Sequence, residues 1–250
     1  MKSPIGVVAI LAAGLAAAGC GSQRPAGGVL GAEVKHCHAG EVRLLGSARV
    51  AYAAVAERRL RAFRRPGGES FATFGTQNAN GVPTVFGVVA VQLTQACAPQ
   101  WFRVQLPQRP NGVSGWVRAG DVEVARVRTR IVIDVSARRL TFFRDGNREL
   151  TTTVAVGSPA TPTPAGRYYV NQRLVPTDTG GPYGPGAIGI SAFSNVLTGW
   201  TQGGPIAIHG TNAPWSIGKA VSNGCIRLPN RILKKVFAQA LSGTHVLIRP

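Results

Sequence analysis

The chain has 250 residues, 44% of them hydrophobic and 15% charged, which is the composition of a folded globular protein and not of a disordered one. Lysine and arginine number 28 against 10 aspartates and glutamates, a formal net charge of +18, so the charge permits nucleic acid, anionic lipid or an anionic wall polymer as a partner. The 32 glycines and 17 prolines favour many short strands joined by turns, so we expect a mainly β protein.

Residues 1–20 have the features of an export signal. Lys2 precedes an apolar run at residues 5–18, which is too short to span a membrane comfortably, and small residues lead from it to Cys20. The Ala-Gly-Cys sequence resembles a lipobox, in which the cysteine is acylated and anchors the mature protein to the membrane; ordinary cleavage near Ala18 is the alternative. Residues 21–35 predict a flexible tether. The protein is therefore expected outside the cytoplasm, at the cell envelope.

Residues 36–125 are predicted to form a small all-β domain. Short β-rich runs separated by Asn-Gly, proline or glycine turns lie at 71–74, 84–91, 101–106 and 115–117. The stretch 101–122, with its Gly-Trp-Val strand, resembles the end of a bacterial SH3-like β-barrel. Such a domain would bind the cell wall or guide substrate. The alternative is a spacer that packs on its neighbour, which the usual burial of residues such as Trp101 and Trp116 favours.

Residues 126–250 are predicted to form a second β domain with one helix. Strands are expected at 130–135, 139–143, 150–157 and 245–248, with a hairpin turn at 144–147. A helix is expected at 228–241, because apolar residues recur there on one helical face and Ser242-Gly243 ends the pattern. His245, at the start of the last strand, is expected at the surface.

A histidine and a cysteine are the candidates for chemistry in the second domain. His209 ends a short apolar strand, and Cys225 follows sixteen residues later in a Ser-Asn-Gly turn. A thiol becomes a useful nucleophile when a neighbouring base or cation lowers its pKa, and histidine is the usual base. Each residue alone is more often a buried structural residue. The turn residues around the cysteine, and the presence of both side chains in an exported protein, favour catalysis.

Three motifs occur in order within residues 128–249. They are a β-hairpin, a Val-Gly-x-Pro-x-x-Pro-Thr-Pro-x-Gly loop at 156–166, and a His-Gly segment that leads to Ser-x-Gly-Cys-Ile-Arg. Together they resemble the L,D-transpeptidase catalytic domain, which implies a β-sandwich with one helix after the catalytic motif. Asn223 stands where the commonest family pattern has histidine. This departure puts in doubt any role for a second histidine, but not the role of the nucleophile.

The resemblance implies a cysteine-dependent peptidoglycan L,D-transpeptidase. Cys225 would attack the carbonyl between the third residue of a stem peptide and D-alanine, release D-alanine, and pass the acyl group to a second stem as a 3→3 cross-link. His209 would act as base and then as acid, with its ring oriented by the Gly210 carbonyl. The N–H groups of Gly224 and Cys225 would stabilise the oxyanion, and Ser222 would hold the turn. Acylation of the thiol by carbapenems is also implied.

Further residues are expected around this pair. Arg227 lies two residues after the cysteine on a strand and so on the same face, where binding a substrate carboxylate and supporting the turn are both open. Asn223, next to the nucleophile's glycine, is also assigned to substrate binding. Tyr183 and Trp200 belong to Gly/Pro/aromatic loops that flank the motif, and such loops commonly line a cleft.

Two cysteines remain if Cys20 is lipidated and Cys225 is the nucleophile. In an oxidising compartment Cys37 and Cys97 are expected to form a disulfide, which stabilises by about 3–4 kcal/mol through loop closure. The His36-Cys37-His38 triplet does not predict a metal site, because adjacent side chains in a strand point to opposite faces. We expect neither a metal nor a cofactor.

Other functions also fit the sequence. A non-catalytic wall protein could bind peptidoglycan through the SH3-like domain and a retired catalytic domain, although the intact His209 and Cys225 argue against it. The same acyl-enzyme could transfer its acyl group to water, as an L,D-carboxypeptidase, or to a wall-bound protein. Peptidoglycan stem peptides are the expected partners, and the membrane is reached through the lipid anchor. Nucleic acid is not expected as a partner, because export removes the protein from it.

Overall fold

The computed structural model describes residues 36–250, together with the backbone of Val7–Val8, and its architecture is mainly β. The predicted tether and Cys20 lie outside the described residues, as does the predicted signal peptide except for Val7–Val8. Those two residues form β1, which pairs antiparallel with Val175 and Pro176. No helix in the described part of the chain has the length and apolarity needed to cross a membrane.

The first half of the described chain forms an eight-stranded antiparallel sheet. Its order is β5-β4-β8-β7-β6-β3-β9, and β2 pairs with β6. The four strands predicted here coincide with β5, β6, β7 and β8 to within two residues. The SH3-like assignment stays a prediction. The strands are β2 (Val42–Leu44), β3 (Ala51–Ala56), β4 (Leu60–Phe63), β5 (Ser70–Phe74), β6 (Val85–Leu93), β7 (Pro99–Gln105), β8 (Ser114–Arg118) and β9 (Val122–Val127).

A disulfide ties the segment before β2 to this sheet. Cys37 and Cys97, the pair expected from the sequence, are bonded to each other with their Cα atoms 5.7 Å apart. Cys97 lies in the turn between β6 and β7 with a positive φ of 58°. Because the bond closes a loop of 60 residues, it restricts the unfolded chain across most of the first sheet.

The second half is built on a larger sheet, ordered β12-β11-β10-β19-β14-β15-β16-β18. Two of its pairs are parallel, β10 with β19 and β16 with β18, and a small separate sheet pairs β13 with β17 in parallel. The strands are β10 (Thr129–Asp134), β11 (Arg139–Arg144), β12 (Asn147–Thr153), β13 (Val156–Gly157), β14 (Gly166–Pro176), β15 (Ala187–Phe193), β16 (Pro205–His209), β17 (Ala220–Ser222), β18 (Ile226–Arg227) and β19 (His245–Arg249).

The helix α1 (Asn230–Gln239) is shorter at both ends than the predicted helix at 228–241. It inserts Leu233 and Val236, both fully buried, into the core of the second half. Pro229 precedes its first turn, a position that suits proline because the first helical N–H groups have no partner in the helix. The Leu228 N–H donates instead to the carbonyl of His209 at 2.8 Å. Leu228, two residues before the helix, therefore ties the chain entering α1 to the end of β16.

The two sheets meet along β6 and β14. Tyr169 is fully buried at this junction and its hydroxyl donates to the Val85 carbonyl at 3.0 Å. A side chain at Gly87 would come within 2.7 Å of the Tyr169 ring, so glycine permits this close approach. The Gln105 amide donates to the Arg167 carbonyl at 3.2 Å. The first sheet thus buttresses β14, a central strand of the sheet that carries the histidine and the cysteine.

His245 is not at the surface, and that expectation is wrong. It is half-buried in β19, where it borders a cavity of about 260 Å³ between the two sheets together with Arg167 and Tyr169. Burial lowers the pKa of His245 to about 4, and the nearby charges of Arg167 and Arg130 act in the same direction. The sequence could not indicate this, because the burial comes from packing against the first sheet.

We predict that His245 makes the fold acid-sensitive. Its pKa is about 4 in the folded protein and about 6.5 when unfolded, so as pH falls between these values the unfolded chain takes up the proton first and the fold loses stability. His209 has the same downward shift. Urea unfolding between pH 4 and 7 should therefore give a smaller pH dependence for His245→Gln than for the wild type. An unchanged dependence in that variant would contradict the assignment.

Candidate active site

The parallel pairing of β16 with β18 brings the histidine to the cysteine. Ile208 is opposite Ile226, and His209 is opposite Arg227. Cys225 directly precedes β18, so this register sets the cysteine turn beside the end of β16. His209 is 4% exposed, whereas Cys225 is half-buried. The strand that carries His209 thus lies next to the turn that contains Cys225, sixteen positions later in the sequence.

The backbone orients the imidazole ring. His209 Nδ1 lies 2.5 Å from the carbonyl oxygen of Gly210. Because a carbonyl can only accept a hydrogen bond, Nδ1 carries the proton and Nε2 is left unprotonated. The ring of Tyr183 packs edge-on against the imidazole, with the ring centroids 5.0 Å apart. The ring therefore has one tautomer and one free nitrogen that can accept a proton.

Burial keeps both members of the pair neutral. It lowers the pKa of His209 to about 4, and the charge of Arg227 adds to this effect while the Gly210 hydrogen bond opposes it. Burial also raises the pKa of the Cys225 thiol, against a backbone hydrogen bond from Ala207 and the charge of Arg227. The resting thiol is therefore neutral, because desolvation outweighs both favourable contacts. A thiol that is neutral at rest can become a nucleophile only by losing its proton, and the neutral imidazole is a base able to accept one.

Glycine is required at position 224. Its φ is +106°, in the region that other residues rarely adopt, and a side chain there would come within 2.9 Å of Ile206. The Gly224 N–H donates to the Ser222 hydroxyl oxygen at 3.1 Å, and that hydroxyl donates to the Cys225 carbonyl at 2.6 Å. Ser222 thus holds the turn from inside. The hydroxyl occupies the Gly224 N–H in this structure, and the use of the Gly224 and Cys225 N–H groups in an oxyanion hole stays a prediction.

Two threonines that sequence reasoning missed hold the same turn from outside. Thr163 is 6% exposed; its hydroxyl accepts from the Gly157 N–H at 2.8 Å and donates to the Gly224 carbonyl at 2.9 Å. The Thr161 hydroxyl donates to the Ser222 carbonyl at 3.0 Å. Both threonines lie in the Val-Gly-x-Pro loop, which the sequence identified only as a family motif. Its contact with a turn about 60 residues away appears only in the folded chain.

We predict that Thr163→Val loosens the cysteine turn. Valine keeps the shape of threonine but leaves the Gly157 N–H and the Gly224 carbonyl without their partner, which should cost about 1–3 kcal/mol in the free energy of unfolding. Thr163→Ser keeps the hydroxyl and is the matched control. Urea unfolding and the rate of thiol alkylation should both change in the valine variant and stay near wild type in the serine variant. Equal behaviour of the two would exclude a role for the hydroxyl.

Asn230 is a third residue that the sequence did not indicate. Its side-chain oxygen accepts from the Thr211 N–H at 2.8 Å, and its amide donates to the Thr211 carbonyl at 3.0 Å. A side chain at Gly184 or Gly210 would come within 2.5 Å or 2.4 Å of the same oxygen. The start of α1 therefore fixes the backbone that follows His209, including the carbonyl that orients the ring.

The predicted substrate-binding residues differ in how close they lie to His209 and Cys225. Arg227 acts electrostatically on both His209 and Cys225, and its Nε is buried with no hydrogen-bond partner among residues 36–250. Tyr183 is 40% exposed beside the imidazole, and its pKa is raised by burial and by the neighbouring Cys225. Asn223 is exposed at the tip of the turn. These three residues therefore border the reacting pair or its turn.

The substrate-binding role expected of Trp200 stays a prediction. It lies in the loop before β16 and is 53% exposed. Within residues 36–250 its ring makes no aromatic contact with His209, in contrast to Tyr183. Trp215 is 64% exposed and packs beside Lys219, with Nζ 5.3 Å from the ring centroid. In the same part of the chain no cluster of histidine, cysteine, aspartate or glutamate could hold a metal ion.

We predict that the Cys225 thiolate forms only at alkaline pH. Because burial raises the pKa of this thiol, iodoacetamide should alkylate it with a midpoint above the ordinary thiol value of about 8.5. The experiment uses a Cys20→Ser chain, so that Cys225 is the free thiol, and glutathione in the same buffers as the comparison thiol. A midpoint below that of glutathione would mean that a thiolate–imidazolium pair already exists at rest.

Comparison with known proteins identifies the family. Residues 128–248 match the model of the L,D-transpeptidase catalytic domain, YkuD. The putative L,D-transpeptidase YqjB of Bacillus subtilis is 31% identical over 128 residues, which are 47% of this chain and 69% of that protein. The chain belongs to the L,D-transpeptidase family. The family match begins next to β10, where the second sheet starts.

Two further likenesses each cover about half of this chain. The putative L,D-transpeptidase YkuD of Bacillus licheniformis is 36% identical over 121 residues, 48% of this chain and 66% of the relative, so slightly less than two thirds of its length is covered. A solved structure of an Enterococcus faecium L,D-transpeptidase mutant is 26% identical with a TM-score of 0.38, covering 48% of this chain and 49% of that one.

Proposed function

We propose that this chain is a peptidoglycan L,D-transpeptidase that forms 3→3 cross-links through a thioester on Cys225. The observation that carries the proposal is the fixed imidazole of His209, whose Nδ1 is 2.5 Å from the Gly210 carbonyl while Nε2 stays unprotonated. A family member with a half-buried, neutral cysteine in the turn next to this base has the groups that acyl transfer requires.

Acylation begins with a neutral thiol. The Cys225 sulfur attacks the carbonyl carbon of the bond between the third stem residue and D-alanine, while its proton passes to Nε2 of His209. The carbonyl oxygen becomes an oxyanion, and the Cys225 N–H is the donor available to stabilise it. When the intermediate collapses, the C–N bond breaks and the imidazolium returns its proton to the departing amine of D-alanine. The third residue is then held as a thioester.

Transfer to the acceptor reverses these steps. The side-chain amine of the third residue on a second stem attacks the thioester carbonyl and gives a proton to His209. The C–S bond breaks, and the sulfur recovers its proton from the imidazolium. The new amide joins the third residues of two stems. Water or an amine on a wall protein could take the place of the acceptor amine, so L,D-carboxypeptidase activity and protein attachment use the same acyl-enzyme.

Arg227 is proposed to bind the carboxylate of the donor stem. Its Nε has no hydrogen-bond partner within residues 36–250, although it is buried. A buried guanidinium nitrogen without a partner is costly, and a substrate carboxylate would satisfy it. Support of the turn by Arg227 is the weaker alternative, because Ser222, Thr161 and Thr163 already hydrogen-bond the turn.

We predict that the protein releases D-alanine from tetrapeptide-bearing wall fragments and joins them into dimers. Cys225→Ala should abolish both products, which chromatography with mass detection would measure. D-alanine release without dimers would indicate a carboxypeptidase. If the wild type and Cys225→Ala both bind wall material and neither gives product, the protein is a non-catalytic wall-binding protein. Full turnover by Cys225→Ala would show that another residue is the nucleophile.

Intact-mass measurement reports the reactivity of the Cys225 thiol directly. The same thiol is proposed to be acylated by a carbapenem, giving an adduct on the wild type and none on Cys225→Ala. This measurement does not need the natural substrate. Cys225→Ser is the matched control, since it keeps a hydroxyl of similar size in the turn.

We also propose that the protein works outside the cytoplasm and is tethered to the membrane. The support is the sequence of residues 1–20, which combines a short apolar run with a lipobox-like ending at Cys20. A lipid on Cys20 and a tether at 21–35 would let the enzyme reach the wall while it stays at the membrane surface.

A further inference from the structure

A small polar cavity lies on the first sheet, in the half of the chain that the family match does not cover. Its volume is about 120 Å³, and it is formed by the turn between β3 and β4, by β4, and by the end of β8. Backbone hydrogen bonding fixes its frame, because the Glu57 N–H at that turn donates to the Asp121 carbonyl at 3.1 Å. The cavity is lined by Arg59, Leu60, Arg61, Phe63, Arg118 and Asp121.

The charge in this cavity is unbalanced. Three of the lining side chains are guanidinium groups, whereas one is a carboxylate, Asp121. That carboxylate lies 3.9 Å from a fourth arginine, Arg58, which stands beside the cavity and is 66% exposed. Within the described residues no other acid lies within 4.0 Å of these four arginines. Like charges gathered without counter-charges repel one another, and an anion in the cavity would relieve that repulsion.

The cavity is also rigid on one side. The guanidinium of Arg118 lies over two aromatic rings, 5.9 Å from the centroid of Phe63 and 5.6 Å from that of Trp101. Those rings pack edge to face with centroids 5.3 Å apart, and each is 8% exposed. A stacked arginine loses less conformational freedom when it forms hydrogen bonds to a ligand, so it is prepared to bind an oxyanion with its planar edge.

We propose that this cavity, defined by Arg59, Arg61 and Arg118, binds a phosphate group. A tetrahedral oxyanion can accept paired hydrogen bonds from guanidinium groups on several sides, which matches three arginines around one small volume. The phosphate can belong to a soluble phosphate compound or to the headgroup of an anionic lipid. Binding at this site would attach the first sheet to a molecule or surface that carries phosphate. The proposal does not depend on the acyl transfer proposed for the second half.

The test is a titration of the full chain with sodium pyrophosphate at constant ionic strength, with sodium chloride as the reference salt. Calorimetry and the NMR signals of the arginine side-chain N–H groups report binding. We expect saturable binding that Arg61→Gln weakens about tenfold or more, since a charge-assisted hydrogen bond is lost. Arg118→Lys should weaken it similarly, because lysine keeps the charge but not the planar pair of donors.

Arg126→Gln is the matched control. Arg126 is an exposed arginine of β9 in the same sheet and does not line the cavity. The affinity of the Arg126→Gln variant for pyrophosphate should be within about twofold of the wild-type affinity. This substitution changes the net charge as much as Arg61→Gln does but lies outside the site. An equal loss in Arg126→Gln and Arg61→Gln, full affinity in Arg118→Lys, or no saturable binding would overturn the proposal. Thermal unfolding of each variant verifies that its fold is intact.

A second arm distinguishes the source of the phosphate. Phosphatidylglycerol vesicles are compared with phosphatidylcholine vesicles in a sedimentation assay with the same three variants. If binding to the anionic vesicles follows the order found with pyrophosphate, the site accepts a lipid headgroup. If only pyrophosphate shows that order, the site takes a soluble phosphate. Both results support a phosphate site. Equal loss of vesicle binding in Arg126→Gln and Arg61→Gln would indicate that binding depends on general surface charge, and it would contradict the proposed site.

Discussion

The site depends on one short parallel strand pair. Only two residue pairs join β16 and β18, yet they determine that His209 lies beside the turn containing Cys225. Backbone hydrogen bonds reinforce that register on both sides, from Leu228 to the carbonyl of His209 and between Arg227 and Ala155. Because a shift of one residue would reverse the face on which each side chain lies, the pairing leaves little freedom to the reacting groups.

Burial then determines the protonation of the pair. Desolvation favours the neutral form of both groups, so it lowers the pKa of His209 and raises that of Cys225. The Gly210 carbonyl and the guanidinium of Arg227 modify these shifts without reversing them. A neutral pair is compatible with the acyl transfer proposed here, in which the thiol proton passes to the imidazole during attack.

The surroundings convert this pair into a rigid site. Ser222 and Thr163 hydrogen-bond the turn from its two sides, and Asn230 holds the backbone next to the histidine. The first sheet supports β14 through Tyr169, so the half of the chain that matches the family is braced by a sheet outside the match. The first sheet also carries the arginine-lined cavity for which a phosphate site is proposed.

The local sequence was sufficient to predict the mainly β class, four strands of the first sheet, and the helix to within two residues at each end, and its motifs indicated His209 and Cys225 as the candidates for chemistry. These depend on turn residues, on periodicity and on motifs, which are properties of neighbouring residues. The roles of Thr163 and Asn230, the burial of His245 and the raised thiol pKa could not be predicted, because each arises from groups that are distant in sequence. Desolvation and long-range hydrogen bonds exist only once the chain has folded. The sequence by itself therefore determined which residues could react, and the tertiary structure decided their protonation, their orientation and the contacts that hold them.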